Sequence, residues 1–364
     1  MKKIYSTSKF KERNKKNAER SLNRQIRFKN YKLKKNKSNL GLNKSQLNYK
    51  QKFEAPFKSY VKIIAPSNFS FIDNPIPVVK FISKLKDQFD NKNKVFVVLN
   101  NVENISYDAI VVLLSILVRF KSNKIKFNGD FPKSESAKMI LKESKFLEYL
   151  FQNFDAEDRY ELGQNSSIVT HAWKNVDSEL GDKIISNASK TVWGEERRCQ
   201  GIQRTLIELM LNTNNHADDS KKGEKHWWLS VHHDKKNKKV SFAFIDFGVG
   251  VFTSLKNKRS GSKFYKIIEI LKEKFTIKDN SELLKYILDG TLHKTATGKP
   301  YHGKGLPGIF KALNRNQLSN LNVITNNVHA KVDDKSYMIM PLQFSGTFVY
   351  WELNEENSNC HGRI

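Results

Sequence analysis

Ile202-Gln203-Arg204-Thr205-Leu206-Ile207-Glu208-Leu209-Met210-Leu211-Asn212-Thr213-Asn214-Asn215-His216-Ala217 is the stretch on which the reading of the fold turns. It reads as one helix. Ile202, Leu206, Leu209, Met210 and Thr213 recur at helical spacing and form one stripe suited to packing on a sheet. Glu208 and Asn212 are four residues apart, so they stand one turn above the other on a shared side. A carboxylate and a carboxamide so placed can hold a water and a hard cation together, the first as general base and the second as oxygen ligand.

Downstream, Val240-Ser241-Phe242-Ala243-Phe244-Ile245 reads as a strand that ends in Asp246-Phe247-Gly248-Val249-Gly250. A carboxylate at a strand end can accept a hydrogen bond from an exocyclic amine. Glycines two and four residues later let the backbone approach a planar base or a phosphate. A plain turn is the competing reading of this pentapeptide taken alone.

Further on, Tyr301-His302-Gly303-Lys304-Gly305-Leu306-Pro307-Gly308-Ile309-Phe310 is a glycine-rich turn entering a helix over Ile309 to Leu313. Backbone N–H groups at a helix start, with no Cβ in the way, cradle polyphosphate. Lys304 adds a cation. The spacing departs from the Walker pattern and disfavours a P-loop fold. Last comes Phe344-Ser345-Gly346-Thr347-Phe348-Val349-Tyr350-Trp351-Glu352-Leu353, a terminal strand with Gly346-Thr347 at its head.

The order and spacing of these four segments resemble the GHKL nucleotide domain (gyrase, heat-shock chaperone, histidine kinase, mismatch repair) over about residues 165–355. That resemblance implies an α/β sandwich, a mixed sheet with helices on one face, that binds ATP and magnesium. It gives Glu208 the role of activating the hydrolytic water and Asn212 that of binding magnesium. Asp246 would contact the adenine amine, with Gly248 and Gly250 shaping the base pocket. Gly303, Lys304, Gly305 and Leu306 would line the triphosphate, and Thr347 would sit behind the adenine. His216 fits the same pattern, with packing or capping as its alternative role. Pro307 stands where histidine kinases usually carry a further glycine, and proline is tolerated in the first turn of a helix. Residues 251–302 would be the lid over ATP, with helical stretches at Lys263 to Lys274 and Ser281 to Leu288.

The first half has a different texture. Val61-Lys62-Ile63-Ile64 is extended, Ile76 to Phe89 helical, Lys94 to Leu99 a strand, Tyr107 to Phe120 a helix, Lys124 to Asn128 a short strand and Ser134 to Lys142 a helix. This alternation calls for a small sheet covered by helices. Over residues 58–152 the order resembles STAS-like domains of anti-sigma antagonists, carried by Val95-Phe96-Val97-Val98-Leu99, Ser106-Tyr107-Asp108-Ala109-Ile110, Ile125-Lys126-Phe127-Asn128-Gly129 and Gly129-Asp130-Phe131-Pro132. Phosphorylatable members carry a serine at the start of that helix, where added negative charge is favoured. Ser106 or Asp108 falls there. Asp108 would preclude phosphorylation and leave a protein-docking surface, and Ser106 is expected to act as a helix cap.

The formal charge of +27 is concentrated at the start of the chain. Residues 1–53 hold 18 Lys and Arg against Glu12 and Glu19, an excess of +16. Without sustained periodicity, residues 1–55 read as a disordered basic arm, drawn to DNA or RNA because each cation on a phosphate releases a counterion. A solvating tail is the competing reading. Residues 356–364 form a short tail. Cys199 and Cys360 stand apart, against a disulfide framework or a zinc site. Asn100, Asn101, Glu103, Asn104 and Asp108 interrupt the long apolar run too early for a membrane span, and no signal segment opens the sequence. The expectation is a cytoplasmic protein without membrane contact.

A sensor kinase needs a phosphoacceptor histidine on a dimerising hairpin, and residues 58–165 do not read that way. Three activities stay open: an ATP-hydrolysing switch coupled to a partner, a serine/threonine protein kinase of the anti-sigma type, and a non-catalytic ATP sensor tethered to nucleic acid. The domain pairing is compatible with a bacterial regulator of stress or phage defence.

Overall fold

Between Ala109 and Val118 only Ser115 is polar, so a helix over this run has no face to offer water. A computed structural model of the protein describes residues 12, 57–151, 168–173, 178–216, 226–256, 279–291 and 305–357. In it, the helix from Tyr107 to Ser122 is buried at every position from Asp108 to Val118. It lies between two sheets.

The first sheet belongs to the N-terminal half. Its elements are β1 (Val61–Ile64), β2 (Asn68–Phe69), α1 (Pro75–Asp90), β3 (Val95–Val98), β4 (Asn104–Ile105), α2 (Tyr107–Ser122), β5 (Phe127–Gly129), α3 (Glu135–Glu143) and α4 (Phe146–Phe151). Strands β1, β3 and β5 form a parallel sheet in the order β1-β3-β5, and β2 pairs with β4 in a short parallel ribbon. Helix α1 starts with Pro75, whose missing N–H costs nothing in a first turn. Every anticipated strand and helix of this half is found, with ends shifted by a few residues. The ribbon is additional, because two-residue strands leave no periodic signal.

The second half contributes β6 (Ile168–Trp173), α5 (Ser178–Trp193), α6 (Gln200–His216), β7 (His226–Asp234), β8 (Lys239–Asp246), α7 (Val251–Lys256), α8 (Asn280–Leu288), α9 (Gly305–Asn314), β9 (Ser319–Lys331) and β10 (Ser336–Leu353). Its five strands run in the order β6-β7-β8-β10-β9. The expected mixed sheet is corrected here, since all four pairings are antiparallel. The local cause is chain connection: β7 and β8 are joined by a turn at 235–238 and β9 and β10 by one at 332–335, and such tight hairpins admit no parallel pairing.

Alternate residues of this sheet serve two cores. Trp227, Leu229, Phe242, Phe244, Val323, Val349 and Trp351 pack with α5, α6, α8 and α9. On the opposite face Trp228, Ala243, Ile245, Ile324, Phe344 and Phe348 share a core with α1 and α2. Helices therefore cover both faces, not the one face anticipated. Phe71 joins the halves directly, edge-on to Phe344 and Phe348 with centroids 5.2 and 4.6 Å away. At the far edge Tyr107 stacks on His232 at 3.8 Å. Residues Tyr60–Ile364 consequently form one compact unit.

The basic arm, apart from Glu12, and the lid helix over Lys263 to Lys274 lie outside the described residues. Among the described residues no helix is long and apolar enough to cross a membrane.

Candidate functional site

Strand β8 ends at Asp246, and the register fixes its neighbours. Asp246 pairs with Trp227 of β7 on one side and Thr347 of β10 on the other, and Thr347 pairs in turn with Thr325 of β9. Directly paired residues share a sheet face. Trp227 is buried in the core under α5 and α6, so Asp246 and Thr347 stand on that helical side.

The Asp246 carboxylate accepts from the Gly248 N–H at 2.9 Å, and Thr347 contributes hydrogen bonds from its backbone and its hydroxyl. Even so, burial outweighs these bonds and pushes the carboxyl up to about 6. It is a desolvated acceptor with fixed orientation.

The turn after Asp246 depends on glycine at two close approaches. Gly250 has φ +77°, and a Cβ there would run into the Asn326 side chain. Gly346, at φ +135°, lies so close to the Asp246 carbonyl that a Cβ would collide with it. Both conformations are left-handed, and both neighbours leave no room for a side chain.

Two side chains of β9 clamp the same turn. Asn326 accepts from the Phe252 N–H (3.0 Å) and donates to the Val249 carbonyl (3.0 Å) and the Thr253 hydroxyl (2.9 Å). The Thr325 hydroxyl accepts from the Val251 N–H (3.0 Å) and donates to the Gly346 carbonyl (3.1 Å). Together they satisfy first-turn amides of α7, which would otherwise have no partner. Neither residue was singled out from the sequence. The available signal was Thr325-Asn326-Asn327, a polar break inside an apolar strand.

Helix α6 packs beside β7 and against α9. Glu208 is half-buried on it, 4.0 Å from Arg204 one turn earlier. Asn212 lies on the same helix, and its side chain is outside the described residues. Helix α9 begins at Gly305, with Gly305, Leu306 and Pro307 buried in its first turn and Leu306 in the same core as Leu206, Leu209 and Phe244. Gly303 and Lys304 fall outside the described residues, as does His216's side chain. Gly248 is buried within the turn. One sheet face thus assembles Asp246, Gly248, Gly250 and Thr347, with the helices bearing Glu208 and Gly305-Leu306 on the shared core.

At the start of α2 the expectation of a serine cap is corrected. Ser106 occupies the N-cap position, but its side chain makes no capping bond and donates to the Phe69 carbonyl at 3.3 Å. The helix end is held instead by Asp108, which accepts from the Phe71 and Ile72 N–H groups at 2.6 and 3.1 Å. Burial raises the Asp108 carboxyl above its ordinary range despite those bonds.

Among the described residues no group of three or more His, Cys, Asp or Glu side chains is arranged to hold a metal ion. No family model, curated protein or solved structure matches the chain.

Proposed function

We propose that the second half binds ATP with magnesium at the Asp246 strand end and hydrolyses it as a regulatory switch of the GHKL type. The observation that carries this reading is the desolvated Asp246 carboxylate, oriented by Gly248 and Thr347 beside two left-handed glycines. Such an acceptor suits an exocyclic amine.

The donor chemistry fits magnesium, which takes oxygen ligands and is commonly held by one or two protein groups together with phosphate oxygens. Glu208 and Asn212 on one helix side supply a carboxylate and a carboxamide. When bound, the ion neutralises charge on the phosphates. Glu208 would take the proton of the attacking water on a carboxylate oxygen. Gly303, Lys304, Gly305 and Leu306 would contact the phosphates through backbone N–H groups and the Lys304 ammonium.

The remaining assignments follow from this centre. The N-terminal STAS-like half would be a built-in companion through which nucleotide state reaches a protein partner, and its packing on the back of the sheet supports that role. The basic arm would hold DNA or RNA, and the setting would be cytoplasmic.

Incubation of the full chain with γ-labelled ATP and magnesium tests the proposal. Free labelled phosphate is expected, abolished in Glu208→Ala with ATP binding retained. Label appearing on protein would replace the switch with a kinase. Absence of any ATP binding at saturating nucleotide would overturn the reading.

A further inference from the structure

Two turns of the N-terminal half repeat one another. Helix α1 leads through Asn91-Lys92-Asn93-Lys94 into β3, and α2 leads through Asn123-Lys124-Ile125-Lys126 into β5. Lys92 (φ 54°) and Lys124 (φ 57°) make the same left-handed step in each. The carbonyls of Lys94 and Lys126 accept from the Val61 and Val95 N–H groups at 2.8 and 3.2 Å, so the turns deliver two lysines side by side at one end of the parallel sheet.

The register fixes which face they share. Val61, Val95 and Phe127 pair in one row and Ile63, Val97 and Gly129 in another, and Ile63, Val95 and Val97 are buried in the core with α1 and α2. The row between, Lys62-Phe96-Asn128, therefore stands on the opposite face, and alternation puts Lys94 and Lys126 there as well. Parallel sheets ordinarily have both faces covered. Here Lys62, Ile64, Lys94, Lys126 and Asn128 are exposed, while Phe96 and Val98 on the central strand are half-buried. The carboxylate at the far end, Asp130, is taken up by the Leu99 and Asn100 N–H groups.

An aromatic ring on a sheet, flanked at the strand spacing of about 5 Å by a lysine and an amide, offers a platform to a base and cations to its phosphates. Ile64 and Val98 extend the platform for the next base. We propose that this face binds single-stranded RNA. One base stacks on Phe96, and the phosphates follow Lys62, Lys94 and Lys126. Asn128 supplies the preference for ribose: its Oδ1 accepts from the Gly129 N–H at 2.7 Å, which leaves its amide N–H groups to donate to a 2′-hydroxyl. The surface belongs to the parallel sheet, and none of its residues falls within the basic arm.

The test titrates the full chain, without nucleotide, into a labelled oligouridylate of a dozen nucleotides and follows anisotropy. A uridine strand offers no adenine to the Asp246 strand end, so the outcome does not depend on the ATP reading. Phe96→Leu should weaken binding about tenfold, the worth of one stacked base, and leave its salt dependence unchanged. Lys62→Gln, Lys94→Gln and Lys126→Gln combined, all at exposed positions, should lower the slope of log K against log salt by about 2 at an unchanged melting temperature. The deoxy counterpart of the probe should bind about threefold more weakly, a difference that Asn128→Ala removes. A combined lysine variant with the parent's slope and affinity would assign the strand to the arm and overturn the proposal. Full affinity in Phe96→Leu would overturn the stacking platform, and equal affinity of the parent for the two probes would overturn the choice of RNA.

Discussion

As the proposed adenine contact, Asp246 faces two demands that pull against each other. An adenine amine needs an ionised acceptor, while burial at the strand end favours the protonated acid. Because the folded value of about 6 lies above the ordinary 3.8, the folded protein binds this proton more readily than the unfolded chain does. The stability this proton confers is fully present below about pH 3.8 and is lost as pH rises to about 6. Asp246→Asn should remove that part of the pH dependence and raise the melting temperature of the nucleotide-free protein at pH 8. The same change should abolish ATP binding, and ATP affinity of the parent should fall as pH drops below about 6. Melting curves and calorimetry between pH 5 and 8 check both signs. A parent whose nucleotide affinity is flat across that range would remove Asp246 from the adenine contact.

Recognition from sequence was uneven at this scale. The placement of Asp246, Gly250 and Thr347 around one strand end was legible because a carboxylate at a strand end and small residues in its turn have local meaning. Asn326 was not. It acts on residues far earlier in the chain, and only the fold reveals that its amide substitutes for backbone partners of α7.

The short helix α7 illustrates how one element depends on another. It has six residues, too few to sustain itself by its own hydrogen bonds. Its start is held by Thr325 and Asn326 of β9. Asn326→Ala removes three side-chain bonds and strands a buried Phe252 N–H, at a cost of about 2–4 kcal/mol. Denaturant unfolding should register that loss, and amide exchange should rise first over Gly248 to Thr253. Equal protection in the variant would mean that α7 is held by its apolar contacts alone.

Element legibility followed periodicity. The helix over Gln200–His216 and the strand over Lys239–Asp246 were read nearly to their ends, because each keeps one strong repeat. The helix Ser178–Trp193 and the strand Ser319–Lys331 were not anticipated. In the strand, Asn320, Asn322, Thr325, Asn326 and Asn327 interrupt the apolar positions and blur the alternation on which strand recognition rests. The sheet was read as mixed because family likeness supplied its character; the hairpins that set its direction are a matter of local chain connection.

At the scale of the molecule, the back of the antiparallel sheet is as apolar as the front. Trp228, Ile245, Ile324, Phe344 and Phe348 are all buried against α1, α2 and the Phe71 loop. A chain shortened to residues 166–357 would expose this face, and soluble monomers rarely expose contiguous apolar patches larger than a few hundred Å². It should aggregate or self-associate in size-exclusion chromatography, while the full chain does not. A well-behaved monomeric fragment would show that the halves are independent.

The fully buried run from Ala109 to Val118 in α2 carries this further. Since no stripe of that run is made for water, the two pieces, one ending at residue 151 and the other beginning at 168, are held by what they hide from solvent. Severed there, they should stay together as a non-covalent pair through chromatography, and two separately produced fragments should find one another when refolded in the same tube. Any message exchanged between the halves must then be a change of shape within a standing contact, and not the docking and release of a swinging part.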